Sequence, residues 1–473
     1  MLALLFGVLG AAPVRASTVA PTRASATGAV PVPPGLSSTD VSFKGFGGLT
    51  LHGTMLAPQK ASRPRPGVVL VTGSGSGVPR EHLLTEAVEF ARQGLAVLIY
   101  DKRSVGYTRF RRSYSELADD ALAAVRALRA QPGVDPAKVG LWGLSEGGWV
   151  APLAASRSDD VAFVIVVGGN AMTPIRQQLW NETSALRRVG VSGSLIDQGK
   201  RNFARLGADA GLFAEAHFDA QAVLRRVRQP LLGVWGSRDL QTPPGDNPPL
   251  FARALERGGN THYTFRFFAG ADHAAHVSPD GGVTRGAALA PGYAELVGSW
   301  VRDVTSGRLP NADAPTPPEQ DHPSTPAPPS AWWESAWMQL AAFVLFVVAF
   351  TAYPLVAVVR RVRRRKVTLV GRWARLLAGT GFLAVIGLFF YLFYLMAAGR
   401  SPDPGSVIAG RPLPWLALQG LAVAATVSCV ATTVTWRRAA ATLSRGEHAR
   451  LALLVIAGAV FVPWALYWGL LLP

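Results

Sequence analysis

The sequence predicts two structural classes in one chain: an α/β domain built on a mostly parallel sheet, followed by an all-α transmembrane region. Short apolar strands alternate with helical segments between residues 37 and 307. Four long apolar stretches then fill residues 331–473. Strands that are apolar throughout and alternate with helices are typical of a parallel sheet covered on both faces. Apolar stretches of about 20 residues are typical of helices that cross a bilayer.

The N-terminal residues predict an exported protein. An apolar run precedes Val14-Arg15-Ala16, which has the small-x-small pattern of a cleavage site. We therefore interpret residues 1–16 as a signal peptide, although it is short and has no basic region ahead of the apolar run. Residues 17–36, rich in Ala, Pro, Ser and Thr, are predicted to be a flexible leader.

The α/β domain is predicted to span residues 37–307. Residues 41–58 alternate in the manner of two paired strands. Residues 175–228 are mostly helical and interrupt the alternation, so we predict a helical cap insertion there. Further strands are predicted at residues 68–72, 95–100, 139–142, 161–167, 231–235 and 263–268, and helices at residues 115–130 and 293–304.

A linker and four membrane spans are predicted to follow. Residues 308–330 are rich in proline and small polar residues, which predicts an extended spacer. The four apolar stretches contain no Asp, Glu, Lys, Arg or His, and tryptophans lie near their ends, as is usual at the headgroup level. The predicted spans are residues 338–359, 376–397, 413–435 and 451–471.

The charge distribution predicts the orientation of these spans. Of the formal net charge of +17, the residues after 330 carry most, with fourteen Lys and Arg against three Asp and Glu. These cations concentrate in the connections after the first and third spans, which the positive-inside rule places in the cytoplasm. The domain is therefore predicted to be extracytoplasmic in a multi-pass cell-membrane protein, with the lipid bilayer as its partner. Excess charge beside apolar segments also argues against nucleic-acid binding.

A candidate nucleophile lies in Gly143-Leu144-Ser145-Glu146-Gly147, between a predicted strand and a predicted helix. That context favours a serine held on a sharp turn, although an ordinary glycine-rich turn remains open. The lone cysteine, Cys429, lies in an apolar run, which excludes an intramolecular disulfide and argues against a cysteine nucleophile.

A serine nucleophile needs a base, usually a histidine oriented by a carboxylate. Asp239 and His273 each follow a predicted strand and give the order serine, acid, base that this scaffold uses. His276 is a rival base. Asp272 is a rival acid that we expect to be solvated, as we do the pair Asp119 and Asp120.

From about residue 41 to residue 306 the chain resembles an α/β-hydrolase of the dienelactone-hydrolase and serine-esterase type. The segments that carry the resemblance are residues 46–54, the loop 72–77, residues 100–106, the serine motif and the Asp…His tail. The resemblance implies Ser145 as nucleophile, Asp239 as orienting acid and His273 as base. It also implies an oxyanion hole made by the backbone N–H groups of Glu146 and of Ser74 or a neighbour. Ser104 and Thr108 depart from the family pattern, which usually has glycine and often serine there.

These observations predict a membrane-anchored serine hydrolase that cleaves carboxylic esters or related acyl bonds through an acyl-enzyme, with no cofactor and no metal. A serine peptidase, a thioesterase and a non-catalytic sensor on the same fold remain open. Nucleotide binding is disfavoured because no Gly-Lys-Ser/Thr follows the glycine-rich loop. Transport is disfavoured because the spans lack ionisable groups, so anchoring or oligomerisation through these helices is expected.

Overall fold

The computed structural model describes residues 32–60, 63–108, 110–363, 371–399 and 402–473. The predicted signal peptide and most of the predicted leader lie outside the described residues.

The domain is organised around one eight-stranded sheet with the order β1-β2-β4-β3-β5-β6-β7-β8. β1 pairs with β2 and β2 with β4 in antiparallel fashion, and all remaining neighbours are parallel. The predicted mostly parallel sheet is therefore confirmed. The strands are β1 (Leu36–Lys44), β2 (Thr50–Pro58), β3 (Arg65–Val71), β4 (Ala96–Tyr100), β5 (Val134–Leu144), β6 (Val164–Val167), β7 (Leu231–Gly236) and β8 (Tyr263–Phe268).

Helices cover both faces of this sheet. α1 and α8 pack on one face, and α2, α3, α6 and α7 pack on the other. The helices of the domain are α1 (Leu84–Arg92), α2 (Tyr114–Arg129), α3 (Gly147–Ala155), α4 (Pro174–Arg188), α5 (Arg201–Asp209), α6 (Ala220–Leu224), α7 (Asn247–Arg257) and α8 (Tyr293–Thr305).

The two helical layers explain why the central strands are apolar at every position. Successive strand residues face opposite sides of a sheet. In β5, Leu141 joins the core under α2 and α3, whereas its neighbour Trp142 joins the core under α1 and α8. The indole of Trp142 also donates a hydrogen bond to the hydroxyl of Tyr293 in α8, at 2.8 Å. A strand buried on both faces has no position at which a solvated polar side chain fits.

The C-terminal region is a bundle of four helices, each long and apolar enough to cross a bilayer. They are α9 (Ala336–Val362), α10 (Arg372–Ala397), α11 (Leu413–Ala439) and α12 (Arg445–Tyr467). A two-stranded hairpin, β9 (Val407–Ile408) with β10 (Arg411–Pro412), lies between α10 and α11. We call the end of the bundle formed by the start of α9, the end of α10, the start of α11 and the end of α12 the docking end.

The cap packs on the docking end of the bundle. In the cap, the backbone N–H of Ser194 donates to the carbonyl oxygen of Pro473 at 3.0 Å. The hydroxyl of Ser194 donates to the carbonyl oxygen of Leu472 at 3.1 Å. The ring of Phe203 in α5 meets that of Phe393 in α10 edge-on, with 4.9 Å between centroids. Cap and bundle therefore share one apolar core. The buried cap side chains in it are Leu186, Val191, Leu195, Ile196 and Phe203.

Residues 308–330 contain no helix or strand, but they are bound to the domain along their length. Asp313 pairs with the edge of β8, accepting from the N–H of Phe265 at 2.8 Å. Farther on, His322 stacks on Trp180 of the cap, with 5.7 Å between centroids. Ser324 donates from its N–H and its hydroxyl to Asp246, each at 2.7 Å. The sequence predicted the extended form of this segment but none of these contacts.

Candidate active site

Ser145 lies on the turn between β5 and α3 with a φ of +57°. This left-handed conformation is uncommon for a residue with a side chain and costs roughly 1–2 kcal/mol; such strain concentrates at functional sites. Both glycines of the motif are required by close backbone approaches. A Cβ on Gly143 would collide with the carbonyl of Gly147, and a Cβ on Gly147 would collide with the carbonyl oxygen of Val71. The turn therefore holds the serine in one fixed position at the end of β5.

His273 and Asp239 form a buried, hydrogen-bonded pair. Nδ1 of His273 lies 2.8 Å from Oδ2 of Asp239. The carboxylate is fixed in turn by the N–H groups of Gln241 and Thr242, at 2.8 and 2.9 Å, and by the hydroxyl of Thr242 at 2.5 Å. A carboxylate acceptor places the proton of a neutral imidazole on Nδ1 and leaves the lone pair on Nε2. Nε2 is buried and has no hydrogen-bond partner within the part of the chain that the structure describes.

The serine and the histidine meet at the end of β6. The N–H of Ser145 donates to the carbonyl oxygen of Val167, the last residue of β6, at 3.0 Å. A Cβ added to Gly168, the next residue, would lie 2.5 Å from Nδ1 of His273. On the other side, a Cβ added to Gly73 would lie 3.3 Å from the Cβ of Ser145. The structure thus brings the predicted nucleophile and the predicted base to the same strand end. A Cβ would be crowded at Gly73 and would collide with the imidazole at Gly168.

The two predicted oxyanion donors flank this position. Ser74 follows β3 in the glycine-rich loop, and Glu146 follows the nucleophile directly. Among the described residues, neither backbone N–H has a hydrogen-bond acceptor. Free N–H groups beside a nucleophile are what an oxyanion hole requires.

A polar cluster that the sequence did not predict surrounds the side chain of Glu146. The carboxylate is buried and accepts from the ammonium of Lys102 at 2.5 Å, the hydroxyl of Tyr107 at 2.9 Å and the guanidinium of Arg112 at 2.9 Å. Burial is the largest single influence on the Arg112 guanidinium and lowers its pKa, but Tyr114, Glu146 and Tyr107 together raise that pKa above its usual value. The only signal in the sequence was the match of residues 100–106 to the family pattern, which names no partner for Lys102.

His276 and Asp272, the rival base and the rival acid, are both engaged in other hydrogen bonds. Both ring nitrogens of His276 are engaged, Nδ1 with the carbonyl oxygen of Gly286 and Nε2 with Glu86, each at 2.9 Å. Asp272 is 4% exposed, so our expectation that it is solvated was wrong. Its carboxylate accepts from the N–H groups of Ala274 and His276, at 2.9 Å each, and so fixes the turn that carries His273.

Asp120 is also buried, which corrects the expectation of a solvated pair at residues 119 and 120. Its carboxylate accepts from Nε and Nη2 of Arg103 at 2.6 and 2.9 Å. Helical periodicity could have placed Asp120 on the inner face of α2, but it could not show the cation that makes burial tolerable. No group of three or more His, Cys, Asp or Glu side chains is placed to hold a metal ion among the described residues.

The cap contacts the loops that carry the site. Gln177 of α4 donates to the carbonyl oxygen of Gln241 at 2.5 Å, two residues beyond Asp239. Phe213, also in the cap, lies with its ring centroid 5.7 Å from the guanidinium of Arg112. The cap is therefore attached both to the site loops and to the membrane bundle.

Comparison with known proteins finds a family model that matches part of the domain. Residues 109–288 match the model of the prolyl oligopeptidase family, and this range contains Ser145, Asp239 and His273. The sheet order, the glycine-flanked serine turn and this match all indicate the same fold. The domain from β1 to α8 has the α/β-hydrolase fold.

Several relatives of this chain are known. It is 36% identical over 132 residues to polyketide transferase claH of Penicillium crustosum, covering 27% of this chain and 43% of that protein. It is 33% identical over 134 residues to thiohydrolase aneE of Aspergillus aculeatus, covering 27% and 41%. The chain thus spans less than half the length of these relatives. The crystal structure of dienelactone hydrolase from Anabaena variabilis matches with a TM-score of 0.35 and 21% identity, over 58% of this chain and 100% of that one.

Proposed function

We propose that this protein is a membrane-anchored serine hydrolase that cleaves carboxylic esters or related acyl bonds through an acyl-enzyme. The observation that carries the proposal is the buried Asp239–His273 pair, which lies against Gly168 at the strand end to which the strained turn of Ser145 is bonded, and whose Nε2 has no hydrogen-bond partner among the described residues. Such an arrangement supplies the base that a serine hydroxyl needs before it can attack an acyl carbon.

The reaction follows from the roles of these groups. Oγ of Ser145 attacks the acyl carbonyl carbon while Nε2 of His273 takes the hydroxyl proton, and Asp239 stabilises the resulting imidazolium. The negative oxygen of the tetrahedral intermediate accepts hydrogen bonds from the N–H groups of Ser74 and Glu146. The intermediate collapses, and His273 returns the proton to the departing alcohol. Water then repeats the sequence on the acyl-enzyme and releases the acid.

The test uses the full chain in detergent with a fluorophosphonate probe, which phosphonylates activated serines. We expect the wild type to be labelled at Ser145, and we expect Ser145→Ala and His273→Ala to remain unlabelled. Ser104→Ala, which removes an exposed serine from a neighbouring loop, is the matched control and should be labelled like the wild type. A folded wild-type protein that no activated ester and no fluorophosphonate modifies would favour the non-catalytic sensor instead.

The acyl group is tested separately. The prolyl oligopeptidase match and the thiohydrolase relative favour comparing peptides and thioesters with oxygen esters. We expect p-nitrophenyl esters of graded chain length to be the best substrates, with matched thioesters next and short peptide amides the slowest. Faster cleavage of amides than of esters would replace the esterase by a peptidase on the same residues.

We also propose that the hydrolase domain lies on the extracytoplasmic side. The cap binds the docking end of the bundle, where the chain ends at Pro473, and the arginine-rich connections leave the opposite end. An impermeant maleimide applied to intact cells tests this, because the single native cysteine, Cys429, is buried. We expect labelling of Ser306→Cys beyond α8 and no labelling of Thr442→Cys between α11 and α12; the reverse pattern would place the domain in the cytoplasm.

A further inference from the structure

Lys102 lies between the two segments that carry the predicted oxyanion donors. Its ammonium donates to the carbonyl oxygen of Gly73 at 2.7 Å and to Oε1 of Glu146 at 2.5 Å. It also lies 4.4 Å from the centre of the Tyr107 ring. The side chain is 5% exposed, so these contacts replace its hydration. One buried cation therefore joins the glycine-rich loop after β3 to the turn after β5.

The contact with Gly73 fixes a particular peptide group. The carbonyl of Gly73 and the N–H of Ser74 belong to one planar trans amide, in which the two bonds point in opposite directions. Holding the oxygen on the Lys102 side therefore directs the Ser74 N–H to the other side. A cation on the carbonyl oxygen also polarises the amide and strengthens its N–H as a donor.

The contact with Glu146 fixes the second donor. Three groups from one segment, Lys102, Tyr107 and Arg112, hold the Glu146 carboxylate, so the residue has little freedom to rotate. The backbone N–H of the same residue is the other predicted oxyanion donor. Hydrogen bonds between ionised partners are the stronger kind, which suits a group that must not move during the reaction.

We propose that Lys102 is a positioning residue that holds both oxyanion donors, the N–H groups of Ser74 and Glu146, in the geometry that binds the tetrahedral intermediate. The proposal rests on the serine-hydrolase function proposed above. It assigns Lys102 no contact with substrate and no proton transfer; its effect passes through the Gly73–Ser74 peptide and through Glu146.

The chain offers a matched control for an ordinary buried ion pair. Arg103, the next residue, is equally buried and binds Asp120 at 2.6 and 2.9 Å, but it contacts Phe46 and α2 rather than the serine turn. Arg103→Met therefore removes a comparable interaction without touching either donor. A residue that only stabilises the fold should behave like Arg103.

The experiment measures transition-state binding in the full chain in detergent. An alkyl trifluoromethyl ketone forms a tetrahedral adduct with the serine and needs the oxyanion hole. The matching methyl ketone reports only how well the alkyl group of the ligand binds. We expect Lys102→Met to lower kcat on p-nitrophenyl esters by roughly 10- to 100-fold, less than the 10²–10³ typical for a donor that is lost outright. We expect the KM and the methyl ketone affinity of Lys102→Met to stay within about threefold of the wild-type values. We expect its trifluoromethyl ketone affinity to weaken by the same factor as kcat.

A stability measurement separates positioning from folding. Lys102→Met leaves the Glu146 carboxylate bound by Arg112 and Tyr107, and Arg103→Met removes a pair of comparable burial, so both variants should melt below the wild type. Only Lys102→Met should weaken trifluoromethyl ketone binding, because only that variant takes the cation off the Gly73 carbonyl. The inference is overturned if Lys102→Met loses no more kcat than Arg103→Met, or if its kcat falls while its trifluoromethyl ketone binding stays at the wild-type value. A wild type that reacts with neither fluorophosphonate nor trifluoromethyl ketone overturns the proposed function itself, and this inference with it.

Discussion

The attachment of the cap to the bundle makes a strong prediction about one ion pair. Arg205 in α5 of the cap donates to both carboxylate oxygens of Glu334, at 2.8 and 2.5 Å, just before α9 begins. Its Nε also donates to the carbonyl oxygen of Pro328 at 3.1 Å. The substitution Arg205→Met keeps an unbranched apolar side chain that can fill much of the space, but it removes every donor. Glu334 would then retain its bond from the N–H of Ala331, at 2.9 Å, within this cluster.

The size of the effect follows from burial. The side chains of Arg205 and Glu334 are 9% and 11% exposed, so the pair is shielded from solvent. Removing one partner of a buried pair typically destabilises by about 3–5 kcal/mol, because the other charge stays buried without compensation. At about 2–4 °C per kcal/mol for a cooperative unit of 150–250 residues, the expected loss in Tm is roughly 6–20 °C. Replacing both partners, with Arg205→Met and Glu334→Leu, should return Tm to within a few degrees of the wild type.

The chain contains its own reporter for this experiment. Cys429, its single cysteine, is buried in α11, so a thiol-reactive fluorophore reports when the bundle opens on heating in detergent. Arg187→Met is the control, because that cap arginine forms an exposed contact with Asp197 at 3.7 Å, worth less than about 1 kcal/mol. An Arg205→Met protein that melts within about 2 °C of the Arg187→Met protein would refute the reasoning.

The same pair gives the stability a defined pH dependence. The hydrogen bond from Arg205 is the largest influence on Glu334 and lowers the pKa of its carboxyl below the usual value. A carboxyl whose pKa is lowered on folding stabilises the protein above its unfolded pKa, about 4.3, and this contribution is lost as the pH falls toward the lower, folded value. The Tm of the wild type should therefore drop more steeply below about pH 4.5 than that of Glu334→Gln. Parallel pH profiles would contradict this assignment.

Three further predictions concern the domain core and its boundary. Gly147→Ala places a methyl group against the carbonyl of Val71 and should abolish fluorophosphonate labelling, as measured in the intact chain. Glu86→Gln should keep the free energy of unfolding within about 1 kcal/mol of the wild-type value, because an amide can donate to a neutral His276. Glu86→Leu should lower the free energy of unfolding by about 3–5 kcal/mol in the same thermal assay. A chain cut to residues 32–307 exposes the cap face that packs on the bundle and should aggregate in gel filtration without detergent; a stable monomer with wild-type esterase activity would contradict this.

The sequence was sufficient for those parts of the molecule that depend on local pattern. The apolar strands, the spans and the glycine-flanked serine are visible in the sequence because neighbouring residues determine them. β8 and α8 begin at the residues we predicted, and the four predicted spans begin and end within about six residues of the helices. Ser145, Asp239 and His273 could be selected because each follows a strand, and parallel strands end at one edge of the sheet.

The sequence was insufficient where a residue's state depends on a distant partner. Asp120 and Asp272 look like solvated carboxylates. Their burial becomes understandable only with distant partners, Arg103 for the first, and Arg285 with two backbone N–H groups for the second. Lys102 and Glu146 are 44 residues apart and lie in different βα connections. No pattern in a single sequence records that their side chains meet.

The boundary between the domain and the C-terminal helices also depends on contacts between distant residues. Composition separates them at residues 308–330, because a proline-rich segment cannot build a core of its own. Yet Ser194, inside the cap, donates to the carbonyl oxygen of Leu472, 278 residues farther along the chain. The cap is thus held on one face by the loop that carries Asp239 and on another by the bundle. Because the cap is bound on both sides, its position depends on the C-terminal helices, and deleting those helices should alter the walls of the candidate site.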